Sequence, residues 1–167
     1  MVQSGYSSAY NKIAGISATL MTDEHIECYS RYMMRTNDKE FLQGLLQGDD
    51  PGDIQSWQSH FSRLKAAGLT HFILHKGDQV IGSTAILFRE EGAIFTGSLI
   101  DPDFRGLGLA DQLYDVRKRY LVEAGYEGPA VKTHIYEEND ASRRAAIRNG
   151  FQPTGRSEGG AQVFVLG

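Results

Sequence analysis

The residues best placed to hold a charged ligand are Arg105-Gly106-Leu107-Gly108-Leu109-Ala110, which sit between a strand-like stretch and an amphipathic one. Two glycines there let the backbone curl tightly, so that several N–H groups converge on one anion at a helix N-terminus. An ordinary glycine-rich strand-to-helix turn explains a bare Gly-x-Gly at least as well. A dinucleotide fingerprint needs a third Gly or Ala where Asp111 stands, and that carboxylate would repel pyrophosphate. A kinase-type phosphate loop needs Gly-Lys-Ser/Thr, which this run does not contain. Elsewhere, His25, His60, His71 and His75 show no metal-ligand spacing. Cys28 is the single cysteine and has no recognisable Cys-His partner, so no covalent acyl-enzyme is expected.

The loop must be positioned by the elements around it. Residues 1–11 read as a loose arm and 13–21 as a first strand, ended by Thr22 as a helix N-cap. Ile26, Tyr29 and Met33 step at helical spacing, and Asn37 with Glu40 resembles a capping box that restarts the helix through Phe41, Leu42, Leu45 and Leu46. Asp53 caps an amphipathic helix carrying Ile54, Trp57, Phe61 and Leu64, closed by Gly68. Three hairpin-linked strands follow, at 71–75, 79–88 and 93–100. Leu109, Leu113, Val116 and Tyr120 define the next helix; then come a strand at 130–136, a short helix at 141–149 and a last strand at 161–166. This order gives a single-domain α/β fold over 1–167. Its mixed, mostly antiparallel sheet has a parallel crossover between 93–100 and 130–136, flanked by helices.

Composition narrows the function. Against 17 Lys and Arg stand 21 Asp and Glu, a net charge of −4 over 167 residues, which argues against a nucleic-acid partner. One cysteine excludes an internal disulfide and a Cys-cluster zinc site, so no metal is expected and a reducing compartment fits. No apolar run approaches 18 residues and the start is polar and aromatic, so neither a membrane span nor a secretory signal is expected, and the cytoplasm is the default.

The run Ser98-Leu-Ile-Asp-Pro-Asp-Phe-Arg-Gly-Leu-Gly-Leu-Ala110 resembles the GNAT superfamily of acyl-CoA-dependent N-acyltransferases, whose cofactor loop reads Arg/Gln-x-x-Gly-x-Gly/Ala, here Arg105, Gly108 and Ala110. Asn139-Asp-Ala-Ser142-Arg-Arg-Ala-Ala-Ile-Arg-Asn-Gly150-Phe151 resembles the family's Asn-x-x-Ser/Ala…Gly-Phe segment, in the branch that includes the ribosomal-protein N-terminal acetyltransferases. The likeness is close over about 70–155 and only in outline before that. It implies acetyl-CoA as cosubstrate, its pyrophosphate on the N–H groups of Arg105, Gly106, Leu107, Gly108, Leu109 and Ala110. Its pantetheine arm would pair like an extra strand with Leu99 and Ile100, where two parallel strands splay. The Ile100 N–H would polarise the thioester carbonyl. Asn139 would meet the pantetheine or simply cap its helix; Arg143 and Arg144 would meet the 3′-phosphate or coat a solvated face, and solvation fits Arg148 better.

Two departures from the family bear on catalysis. Many members place a Tyr seven residues after the Asn to protonate the thiolate; Ala146 stands here, so Ser142 becomes the candidate thiolate stabiliser, against a role confined to its own helix. Members with a base in the strand before the loop carry Glu near 94–95; Ile94 and Phe95 stand there. His134 and Tyr136 lie beside the splay and could relay a proton, though structural roles fit them at least as well. Tyr29, Tyr32 and Trp57 are candidates for the acceptor wall, and equally for plain core. The resemblance thus implies an N-acetyltransferase acting by direct attack of an amine-bearing small molecule, peptide or protein in a ternary complex, with a homodimer an open assembly. A GNAT-fold module that binds acyl-CoA or a protein without turnover is the alternative.

Overall fold

The computed structural model describes residues 10–13 and 15–167. One mixed sheet runs through them, with strands β1 (Tyr10–Ile13), β2 (Ile16–Leu20), β3 (Leu69–Lys76), β4 (Gln79–Arg89), β5 (Gly92–Ile100), β6 (Lys132–Tyr136), β7 (Phe151–Glu158) and β8 (Ala161–Leu166). Their spatial order is β1-β2-β3-β4-β5-β6-β8-β7. Every neighbouring pair is antiparallel except β5 and β6. The helices are α1 (Ile26–Thr36), α2 (Lys39–Leu45), α3 (Ile54–Ala66), α4 (Leu109–Glu123) and α5 (Asp140–Arg148).

Alternation along β3 shows how the sheet is covered on both faces. Phe72 and Leu74 pack with Leu113 and Val116 of α4 and Ala146 of α5. Ile73, between them, faces the other way and packs with Tyr29, Tyr32 and Met33 of α1, Leu42 of α2 and Trp57 of α3. Period-2 strands and period-3.6 helices thus meet in two cores, one on each side of the sheet.

Several local expectations are corrected. Tyr10 and Asn11 belong to β1, which pairs with β2, so this part of the expected arm is strand; residues 1–9 lie outside the described residues. The cap restarting the helix is Asp38, whose carboxylate accepts the Phe41 N–H at 2.8 Å; Asn37 instead bonds back to Met33 O. Thr22 caps a 3-10 turn at Asp23–His25 before α1 begins. Asp53 caps α3 as expected, accepting from the Gln55 N–H. The unforeseen strand is β7, in which Thr154, Gly155 and Arg156 bulge out of register between the Pro153–Phe164 and Ser157–Gln162 pairs.

Candidate active site

The parallel pairing of β5 with β6 is short, holding Ile94 to Lys132 and Phe95 to Thr133. The Thr133 hydroxyl closes it by donating to Phe95 O at 3.0 Å. Beyond that point the strands part. On the other side of β5 the register shifts: Ala85 pairs with Thr96, but Ser83 pairs with Leu99, leaving one extra residue in β5. Gly97, at φ +69, takes the left-handed conformation such a bulge requires. The Thr84 hydroxyl fastens the bulge through Ser98 Oγ at 2.8 Å. Asp101 N–H donates to Ile81 O across β4, so by strand alternation the neighbouring Ile100 N–H points into the gap beside β6. The expected donor therefore lines the splay, with Leu99 exposed next to it.

A 3-10 turn, Pro102–Phe104, then carries the chain to the glycine loop. Asp101 holds this turn. Its Oδ1 accepts the Asp103 N–H at 3.0 Å and its Oδ2 takes Arg35 of α1 at 2.8 Å. Burial pushes the Asp101 carboxyl up, but the bonds from Arg35 and Asp103 and the charges of Arg35 and Arg105 hold it below its usual value. Gly106 and Gly108 both have positive φ, near +80, and a Cβ on either would meet nothing within 4 Å. Gly108 is the N-cap of the 15-residue α4, and no side chain caps that helix. The first-turn N–H groups thus stand without a side-chain cap among the described residues, at the positive end of the helix dipole.

Asp111, in the first turn of α4, is not an isolated charge. Arg148 binds it through Nε at 3.1 Å and a terminal nitrogen at 2.8 Å, and Asn149 Nδ2 adds a bond at 2.9 Å. This knot neutralises the carboxylate and ties α5 to the start of α4. Arg148 is thereby given a structural task.

Asn139 caps α5, its Oδ1 accepting the Ser142 N–H at 3.2 Å; this is the capping alternative, and it leaves the amide Nδ2 without a partner among the described residues. Ser142 and Arg143 are half-buried, Arg144 exposed. Arg143 bonds Asp140, while its buried Nε lacks a partner among the described residues. Ala146 is wholly enclosed in the core under α5, so no larger side chain fits there.

The three aromatic wall candidates are not surface groups. Trp57 is 0% exposed with its indole N–H donating to Pro51 O, and Tyr32 is 1% exposed. Tyr29 packs edge-on against Phe61, and burial raises the pKa of both tyrosine hydroxyls, which bond to Ser83. They support β4 behind the bulge. His134 and Tyr136 stand on the β6 face opposite α4 and α5, with Tyr136 57% exposed.

Spacing alone gave no hint of several residues. Arg35 and Glu158 reach the site region from 66 and 24 positions away in sequence. Arg117 of α4 is buried with its guanidinium 4.3 Å from the Phe95 ring and 4.7 Å from the Tyr114 ring. Burial lowers its pKa to about 10, countered by the Tyr114 hydroxyl.

The model of the acetyltransferase (GNAT) family matches residues 20–151. The chain belongs to the GNAT family. Solved structures agree in fold. The ribosomal-protein-S5-alanine acetyltransferase of Vibrio fischeri superposes with a TM-score of 0.69 at 12% identity, over 95% of this chain and 94% of that one. The PaiA N-acetyltransferase of Thermoplasma acidophilum, solved with coenzyme A, gives 0.66 at 10% identity, over 90% and 98%. A ribosomal L7/L12 α-N-protein acetyltransferase (RimL), also solved with coenzyme A, gives 0.70 at 13% identity, over 95% and 97%. No curated protein sequence matches. As in the sequence resemblance, this GNAT chain joins a splayed parallel pair to an uncapped helix N-terminus. Among the described residues no cluster of His, Cys, Asp and Glu could hold a metal, and no helix is long and apolar enough to cross a membrane.

Proposed function

We infer that this chain transfers an acetyl group from acetyl-CoA to a primary amine by direct attack in a ternary complex. The observation that carries this reading is the short β5–β6 pairing, opening beside Ile100 and leading to the uncapped start of α4. When bound, acetyl-CoA supplies an activated acyl carbon. The chain's own residues do the rest. N–H groups from Gly106 to Ala110 donate to the pyrophosphate oxygens at the positive end of α4, with Arg105 beside them. The β5 edge at Leu99 and Ile100 offers backbone groups to an amide-bearing arm, as an added strand would. The Ile100 N–H stabilises negative charge on the acyl oxygen. The Ser142 hydroxyl donates to the departing sulfur, and Asn139 Nδ2, Arg143 Nε and the exposed Arg144 are polar groups available to the cofactor. We place the protein in the cytoplasm because its single cysteine suits a reducing compartment.

The enclosure of Ala146 and the apolar Ile94 and Phe95 favour one competing reading, an acyl-CoA binder without turnover. Incubation with acetyl-CoA and a set of amines separates the two. The set holds a short peptide with a free N-terminus, spermidine and an aminoglycoside. Thiol release with a matching acetylated amine by mass is the expected result; tight CoA binding without thiol release from any amine supports the silent binder.

A further inference from the structure

His134 follows Thr133, the last residue of the parallel pairing, and so stands where the gap opens. Thr133 and Ile135 are buried toward α4 and α5, which turns His134 to the opposite face of the sheet. Its Nε2 lies 2.9 Å from Glu158 Oε2. Glu158 ends β7, two strands away, and pairs with Ala161 of β8, which in turn pairs with Tyr136. These positions share one face, and the small Ala161 lets the Glu158 side chain cross β8 to the imidazole. Nδ1 has no hydrogen-bond partner among the described residues.

An ionised carboxylate only accepts, so the shared proton is on Nε2 and the bare lone pair is on Nδ1. The bond from His134 Nε2–H, and the charges of Lys132 and Arg156, hold the Glu158 carboxyl below its usual value against the opposing cost of burial. Lys132 and Tyr136 share the His134 face of β6, and Glu158 and Arg156 come from β7. The paired Val163 of β8 and the β5 residues Ile94 and Thr96 bring no charge. A primary alkyl ammonium is almost wholly protonated near neutral pH, so the acceptor must lose a proton before it attacks. Neither Ile94 nor Phe95 can take it.

On the acetyl-transfer reading above, we propose that His134 is the general base for the acceptor ammonium, with Glu158 fixing its tautomer. The ammonium N–H bond breaks, the proton passes to Nδ1, and the electron pair stays on the amine. That pair forms the C–N bond as the C–S bond breaks and sulfur keeps the bonding electrons. The second amine proton goes to the thiolate, and the imidazolium returns its proton to solvent.

Two readouts test this. Nitrogen NMR of the free protein should show the Nε2–H tautomer of His134, and Glu158→Gln should redistribute it; a dominant Nδ1–H form in the wild type overturns the proposal without any turnover. With the best amine of the three named above, His134→Gln should lower kcat/KM by roughly 10²–10⁴-fold and abolish the acid limb of its pH profile. Glu158→Gln should lose roughly tenfold, since the base survives. A folded His134→Gln protein that binds CoA normally and keeps the wild-type rate and limb overturns the base alone. Wild-type protein that binds CoA but releases no thiol with any amine overturns the transferase reading, and the base with it.

Discussion

Replacing Arg35 with Met should destabilise the protein most at neutral pH and least in acid. The Asp101 side chain is 4% exposed, while that of Arg35 is 41% exposed. The substitution removes bonds at 2.8 and 3.3 Å to Oδ2 and leaves only the Asp103 N–H on the carboxylate. Removing one partner of a buried ion pair costs roughly 3–5 kcal/mol. Arg35 is partly solvated, so the value here belongs at or below the lower end, about 2–3 kcal/mol. In the native protein the Asp101 carboxyl lies below its usual value, so its contribution is present above the unfolded value, about 3.9, and is lost as pH falls further. Without Arg35, burial dominates and the folded carboxyl rises above that value. Protonation then favours the folded variant, and the penalty shrinks as pH falls from 7 toward 4. Urea unfolding of both proteins at pH 7 and pH 4.5 measures this, and a cycle with Asp101→Asn isolates the pair. An equal penalty at both pH values, together with additive substitutions in the cycle, would refute the argument.

Ser142→Ala should lower kcat by up to ~10²-fold with CoA affinity unchanged, because a neutral hydroxyl donor sits at the low end of acid assistance; stopped-flow turnover reads it. Ala146→Tyr, which would restore the family's usual thiolate acid in sequence terms, should instead destabilise by roughly 1–3 kcal/mol or more, since Ala146 is fully enclosed; a thermal melt decides. His71, pushed down to about 4 by burial and by His60, is neutral in the folded chain. The unfolded chain takes its proton near 6.5, so stability should be full above that pH and fall by up to about 3 kcal/mol toward pH 4. His71→Gln should flatten that slope in urea titrations.

The parts of this fold legible in the sequence were those set by local signals. Asp53 before Ile54, and Gly77-Asp78 between β3 and β4, mark boundaries through capping and turn chemistry that need no distant partner. The β7 strand was obscured because Pro153, Gly155 and a polar, exposed run carry no strand period. The glycine loop could be found because its chemistry is backbone chemistry and contiguous. The ties around it could not be found that way. Arg35 with Asp101 and Arg148 with Asp111 are joined by folding across 66 and 37 positions, and no spacing rule reaches so far. The aromatic stripe of α1 and α3 illustrates the opposite case. Tyr32 and Trp57 carry polar tips that suggest a binding wall, yet both are enclosed with internal partners.

The claim on which the rest depends is that the open start of α4 holds the cofactor pyrophosphate. Calorimetric titration of CoA into the wild type and into Gly108→Asp tests it most directly. Gly108 sits at φ +78, a conformation that Asp tolerates better than most residues, and nothing lies within 4 Å of its missing Cβ, so the variant should fold. It places a carboxylate where the phosphates would lie. The account predicts one CoA site in the wild type and no measurable binding to the folded variant; equal affinity in the two proteins would contradict it.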